Sequence, residues 1–316
     1  MWALLSFGFR RVALLTHDRP AGRIGVMMRD LDQLTSTSLR AALAGHPFVT
    51  AIIYRPCLGS TNDLAKEKAG AGVPEGLLVI ADEQTAGRGR LGRRWWAPAG
   101  SALLTSLLFR PATPSWHGQA GAGSLQLAPQ LVMLCALAAA DAVTDLTGLD
   151  VDLKWPNDLL VRGRKLAGLL AESVFTGDRL DAVVVGLGLN VATDLGDAPP
   201  FMASATSLQL ELGHPVDRLP LLVAYVSGVA RRYAQLERGT SPYTEWASRL
   251  VTLGQHVTAH LGDPALPGKD GSLDATPRSL SGVAQGVDVD GALLLRAPDG
   301  TVHRLLAADI TLRPSI

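Results

Sequence analysis

The stretch TAGRGRLGRRWW, Thr85–Trp96, gathers four arginines, three glycines and two adjacent tryptophans without one acidic residue. Gly87 and Gly89 remove side chains where backbone must come close to a ligand. Arg88, Arg90, Arg93 and Arg94 surround that space with planar forks suited to carboxylate or phosphate. The same composition also fits a solvated basic hairpin or a nucleic-acid patch. Farther along, KWPNDLL, Lys154–Leu160, sets a cation, an aromatic ring, a rigid proline and two oxygen-bearing side chains side by side. Asn157 and Asp158 can serve a Mg²⁺ held mainly by substrate phosphates, because Mg²⁺ commonly uses only one or two protein carboxylates. An Asn-Asp turn beside a surface lysine is the plainer alternative.

Lys165 follows a turn at Arg162–Gly163–Arg164, so a hairpin there returns it toward Asn157 and Asp158. A lysine in that place can neutralise charge on a transferring phosphoryl group, or simply sit exposed beside a turn. The segment GLGLNV, Gly186–Val191, ends an apolar run with Asn190, which at a strand end can reach a base, a ribose or a phosphate.

Other chemistries have little support. No GxxxxGK[ST] phosphate loop, dinucleotide fingerprint or Gly-x-Ser-x-Gly elbow occurs. The seven histidines show no metal-ligand spacing, since His256 and His260 alternate on a predicted strand. Cys57 and Cys135 stand far apart, against a disulfide framework and in keeping with a reducing cytoplasm. Lys+Arg and Asp+Glu both number 29, so no global field draws the chain to nucleic acid or an anionic membrane, and anion recognition must be local.

The elements that must position these residues follow from pattern. Short helix character runs from Asp30 to Ala44, then FVTAIIYRP reads as a strand, and GSTNDLAKEKAGAG as a helix with N-cap candidates at Ser60, Thr61, Asn62 and Asp63. Leu77–Gln84 is a continuous apolar strand running into the arginine loop, and Ser101–Phe109 is the next strand. A Pro/Gly/Ser-rich connection, Pro111–Ser124, leads to a buried helix over Leu125–Leu146; its most apolar run, broken by Pro129 and Gln130, is too short for a membrane span of about 18 residues. Strands over Val151–Trp155, a hairpin in LLVRGRKLAGLLAESV and a strand in LDAVVVGLGLNVA come next, then helices over Pro220–Arg238 and Tyr243–Val251. The chain closes with short strands HVTAHLG, LSGVAQGVDVD, ALLLRAPDG and TVHRLLAADITLR, whose Asp290-Gly291 and Asp299-Gly300 turns predict a small SH3-like β-barrel. A Pro/Gly/Asp-rich insert, Asp263–Arg278, reads as an exposed loop tip.

In this order GSTN, EQTAGRGRLGRRW, KWPNDL, KLAGLLAE and GLGLNV resemble the biotin protein ligase family, of the type without an N-terminal DNA-binding domain. The resemblance implies an α+β fold: a class II synthetase-like catalytic domain with a central mixed or antiparallel sheet and helices over 48–250, and the SH3-like domain over 251–316. Residues 1–47 are then an extension, partly disordered or a short helix, with Met27 or Met28 as alternative starts. It implies ATP-dependent activation of biotin to biotinyl-5'-AMP, with Mg²⁺, and transfer to a lysine of the biotin carboxyl carrier domain of acetyl-CoA or a related carboxylase.

By motif match, Ser60, Thr61, Asn62 and Gln84 hold the biotin head. Arg88, Gly89 and Arg90 bind its carboxylate and the phosphate, and Lys165 bridges biotin and adenylate. Lys154, Asn157 and Asp158 serve ATP and Mg²⁺, and Asn190 the nucleotide. Trp95 and Gly168 complete the binding set, and Lys165, Arg88 and Asp158 carry the catalysis. Trp95 and Trp96 are suited to covering an apolar face of a loop that orders over the intermediate. The implied partners are the carrier domain and, in a homodimer, a second copy pairing through the central sheet, with no nucleic acid and no membrane. A lipoate-type acyl ligase and a non-catalytic biotin or nucleotide sensor are the alternatives.

Overall fold

The structure, a computed structural model, describes residues 34–111, 123–196, 198–261, 279–306 and 308–312. The expectations for residues 1–33, for most of the Pro/Gly/Ser-rich connection and for the 263–278 insert lie outside the described residues.

Strand period does most of the architectural work. Seven strands, β1 (Ala51–Leu58), β2 (Leu77–Gln84), β3 (Ala102–Phe109), β4 (Asp152–Lys154), β5 (Asp158–Val161), β6 (Arg164–Thr176) and β7 (Arg179–Asn190), form a sheet in the order β1-β2-β3-β7-β6-β5-β4. Only β1 and β2 run parallel; the other pairs are antiparallel, giving the expected mixed sheet. In β2, Leu77 and Val79 join a small core with Ala65 and Ala69 of helix α2 (Thr61–Gly70), whereas Leu78 and Ile80 join the main core on the opposite face. Strand β7 alternates likewise: Ala182 and Val184 face α2, and Val183, Val185 and Leu187 face the main core.

The main core is built on α3 (Gly123–Thr147) and α5 (Arg218–Glu237), which pack together where Gly228 meets Ala138. By length and composition α3 could cross a membrane, but two thirds of its most apolar stretch is buried inside the fold, as the sequence reading anticipated. Helix α1 (Ser36–Ala42) carries a capping box between Thr35 and Ser38, and Leu34, Leu39 and Leu43 are buried in this same core, so the short expected helix belongs to it. Two short helices, α4 (Leu208–Leu212) and α6 (Tyr243–Ser248), complete the layer.

The C-terminal strands β8 (His256–His260), β9 (Ser279–Val287), β10 (Leu293–Arg296), β11 (Val302–Leu305) and β12 (Asp309–Leu312) make an antiparallel sheet in the order β11-β10-β9-β8-β12. One expectation changes here. The single final strand TVHRLLAADITLR is two, because its first part pairs with β10 and its last part crosses to pair with β8. Leu306, 68% exposed, lies at that break, so the apolar run across it is not a continuous core strand.

Candidate active site

The period that builds the core also clears a floor beside α2. After Ala182 and Val184, the positions of β7 on the α2 face become Gly186 and Gly188. A Cβ on Gly186 would stand 2.3 Å from Asn62 Oδ1, and one on Gly188 would stand 2.5 Å from the Trp95 ring. Both positions therefore exclude side chains, the physical content of a motif that looks weak in isolation. The rows across the sheet are Ser106–Gly186–Leu170 and Leu104–Gly188–Gly168–Asp158. Above them opens a cleft of about 810 Å³, within the range of small-molecule sites at roughly 300–1,000 Å³. Every expected site residue lines it: Ser60, Thr61, Asn62, Gln84, Arg88, Gly89, Arg90, Trp95, Lys154, Asn157, Asp158, Lys165, Gly168 and Asn190.

One end is neutral and tightly bonded. Ser60 is the N-cap of α2, but its hydroxyl makes no capping bond. Instead the Thr61 N–H and hydroxyl both donate to Gln84 Oε1, at 2.7 and 3.0 Å, so β2 satisfies the helix end. Asn62 Nδ2 donates to Leu170 O (3.2 Å) and Glu172 Oε2 (2.8 Å). Ser106 Oγ lies 2.8 Å from Thr61 Oγ1 and 2.6 Å from Asn62 Oδ1. At the far end of α2, Arg110 donates to the carbonyls of Ala69 and Val73 while pairing with Asp181, which fixes the helix over the sheet.

The other end is cationic. The arginine loop is a narrow turn: Gly89 N–H donates to Arg93 O (2.7 Å), Trp95 N–H to Gly87 O (2.9 Å), and a short 3₁₀ turn, Arg90–Gly92, caps it. Leu91 and Gly92 both take left-handed backbone there, φ 55° and 74°; for a leucine that conformation is strained. The four arginines part company. Arg88 grips Asp63 of α2 through both nitrogens (2.6 and 2.5 Å) and approaches Glu172. That hydrogen bond lowers the Asp63 carboxyl to about 2. Arg93 pairs with Asp309 of β12 at 2.6 Å, which ties the loop to the C-terminal domain. Arg90 and Lys154 are half-buried and have no ion pair within 4.0 Å among the described residues. Burial pushes both pKa values down, against the opposing pull of Asp158 and Asp309.

Between the two ends, Lys165 Nζ meets Asp158 Oδ1 at 2.6 Å and lies 5.9 Å from the centre of the Trp95 ring. Gly168 leaves room for this pair, since a Cβ there would lie 3.3 Å from both partners. The β5–β6 hairpin does return Lys165 to Asp158, with Arg162 and Gly163 in left-handed backbone at its turn. The Trp95 indole N–H is buried with no acceptor among the described residues.

Three expected residues behave differently from the simplest reading. Asn157 Nδ2 donates to Leu169 O, and Leu169 N–H to Asn157 O, so this side chain braces β6. The amide of Asn190 is bound to Thr206 O and faces Thr193 Oγ1, holding the strand end. Trp155 is no exposed plate: it is 1% exposed, and its indole donates to Gly291 O in the β9–β10 turn. Of the two loop tryptophans, Trp95 lines the cleft and Trp96 does not. Sequence reasoning missed Ser106, Asp63, Glu172 and Asp309. Glu172 ends the KLAGLLAE motif and offered a signal; Asp309 offered none, because only the fold brings β12 to the cleft. Cys57 and Cys135 are both free.

Comparison with known proteins agrees with this geometry. Residues 54–190 match the biotin/lipoate A/B protein ligase family, and residues 276–313 the biotin protein ligase C terminal domain. The biotin--[acetyl-CoA-carboxylase] ligase of Paracoccus denitrificans is 38% identical over 76% of this chain and 92% of that protein. The bifunctional ligase/repressor BirA of Bacillus subtilis is 33% identical over 89% of this chain and 79% of its own. Among solved structures, the biotin protein ligase from Aquifex aeolicus in complex with biotin and ATP is similar at TM-score 0.63 and 25% identity, covering 84% of this chain and all of that one. With matching segments in both domains and relatives of this identity along most of its length, the chain belongs to the biotin protein ligase family.

Proposed function

We propose that this protein joins biotin to ATP and passes the biotinyl group to a lysine on the biotin carrier domain of a carboxylase, in the cytoplasm. A biotin carboxylate oxygen attacks the α-phosphorus of MgATP, the bond to the β-phosphate oxygen breaks, and pyrophosphate leaves. The carrier lysine amine then attacks the carbonyl of the mixed anhydride, and AMP leaves with the bonding pair. Both reactants of the first step are anions, so the need is charge neutralisation and alignment rather than a protein nucleophile.

The observation that carries this reading is the pair of desolvated cations, Arg90 and Lys154, without carboxylate partners among the described residues and set beside a polar pocket of fixed orientation. Such cations are poised for an anion brought by substrate. Arg90 takes the biotin carboxylate and the α-phosphate, and Lys154 the outer phosphates. Lys165, exchanging Asp158 for substrate oxygens, steadies the charge that moves between them. Asp158 so released is one carboxylate for the Mg²⁺ carried on the triphosphate, which fits a donor set without a cluster of three or more metal-binding side chains among the described residues. Ser60, Thr61, Asn62 and Gln84 receive the biotin rings, and Trp95 covers the adenylate and excludes water.

The test is incubation with biotin, MgATP and an apo carrier domain, read by mass spectrometry, with lipoate as the competing acid. The expected result is one biotinyl mass on the carrier lysine and none from lipoate. Folded protein that leaves the carrier unmodified overturns the reading.

A further inference from the structure

The neutral end of the cleft works only if Asn62 presents a defined atom to its ligand, and an amide can turn either way. Three partners decide the matter. Leu170 O and the Glu172 carboxylate can only accept, so both must face Nδ2, whose two hydrogens they engage at 3.2 and 2.8 Å. Oδ1 is then left beside Ser106 and Gly186, with a lone pair for a ligand N–H. Of the two acceptors, the peptide carbonyl is neutral and longer, and the carboxylate supplies the stronger hold. Glu172 does not line the cleft. Its own position is fixed by Lys66 at 2.5 Å and Arg88 at 3.4 Å.

We infer that Glu172 is a positioning residue for biotin: through its bond to Asn62 Nδ2 it turns Oδ1 toward the pocket, and through Arg88 it links that orientation to the arginine loop. The inference rests on the proposed placement of the biotin head at Asn62. With Glu172 removed, Asn62 keeps one weak acceptor and the amide populates the flipped state, which offers N–H groups where the ring N–H of biotin needs an oxygen. Recognition of biotin falls while the nucleotide half, built on other residues, is untouched.

The full chain is measured by calorimetry of biotin binding without nucleotide, by separate KM values for biotin and ATP, and by thermal melting. Glu172→Ala is expected to weaken biotin binding and raise its KM about ten-fold or more, the effect of one lost charge-assisted hydrogen bond, with the KM for ATP within about two-fold. Glu172→Gln keeps an acceptor for Asn62, and Lys66 retains Asp63 at 3.2 Å, so biotin affinity returns to within about three-fold of the parent. Lys66→Met, which leaves the Asn62 bond intact, is expected to bind biotin like the parent. Should Glu172→Ala fail to fold, Glu172→Asp gives the same comparison, because a carboxylate retracted by one methylene keeps its charge and loses Asn62. Unchanged biotin affinity in the variant, biotin and ATP constants rising together, or a Gln variant as impaired as the Ala variant overturns the inference. A parent protein that binds no biotin overturns instead the functional reading beneath it.

Discussion

The two ends of the cleft are built on opposite principles. At the head of α2, Thr61, Asn62, Gln84 and Ser106 bond to one another and to the sheet, so their orientations are set before any ligand arrives. At the arginine loop, Arg90 and Lys154 are desolvated without compensation, and the charges that are paired, Arg88 and Arg93, hold the loop to α2 and to β12. A neutral bicyclic head calls for shape and fixed donors and acceptors. A polyanion calls for charge that nothing in the protein has already neutralised. One end stabilises the fold and the other is carried at its expense, so substitutions at the two ends should differ in sign as well as in size.

The largest effect is expected from the cationic end. Arg90→Ala should lower the kcat/KM of adenylate formation by about 10²–10³, the scale of removing one preorganised charge stabiliser, while biotin binding without ATP changes much less. Because an unpaired buried cation is unfavourable in the folded state, the melting temperature should hold or rise. Pyrophosphate release and calorimetric melting read both halves; a large loss of stability would show that Arg90 is structural and would erase the contrast. Next comes Gly186→Ala. The added methyl meets Asn62 Oδ1 at 2.3 Å, so Asn62 must move, and biotin affinity should fall by about ten-fold while the protein loses roughly 1–3 kcal/mol of stability, as overpacked sites do. Equal impairment of ATP binding would mean the two ends are not separate.

Which of these features could be read from sequence follows the same division. The local pieces were legible: alternation fixed the two faces of β2 and β7, the turn at Arg162–Gly163 returned Lys165 to Asp158, and the glycines marked where backbone must lie bare. What composition could not tell is which arginine serves a ligand. Arg88 and Arg90 are two positions apart in one loop, yet the first meets Asp63 of α2 and the second meets no carboxylate within ion-pair distance among the described residues. That difference is made by packing of distant segments. Trp155 is the same lesson inverted: an aromatic beside Lys154 resembles a ligand plate, but β9 and β10 fold over it, and it becomes the peg of the C-terminal domain.

That peg offers a smaller effect. Trp155→Phe keeps the buried ring and loses the bond to Gly291 O at 2.8 Å, a loss of about 1 kcal/mol. The C-terminal sheet also brings Asp309 to Arg93, so the KM for ATP should rise a few-fold with biotin binding unchanged. An altered biotin KM would place the domain's influence at the wrong end of the cleft.

The smallest effect at neutral pH, and the one that tests the electrostatic argument most directly, is titration of Lys154. Its folded pKa is lowered, chiefly by burial and against the pull of Asp158 and Asp309. Below that pKa the ammonium is charged in both the folded and unfolded chain, and the fold bears its desolvation; as pH rises through it, the proton leaves and the strain is relieved. Nucleotide affinity must move the other way, because the neutral amine no longer attracts phosphate. The KM for ATP should therefore rise on the alkaline side at a lower pH than an ordinary lysine would give, and ATP binding there should take up a proton, seen as a buffer-dependent enthalpy. Lys154→Arg stays protonated and should move that limb upward, while the biotin KM, set by amides and hydroxyls, should show no such limb at either residue. At the acid side the contrast reverses. Arg88 holds the Asp63 carboxyl at about 2, so the tie between loop and α2 contributes stability above the ordinary carboxylate range and is lost only as pH falls through that value.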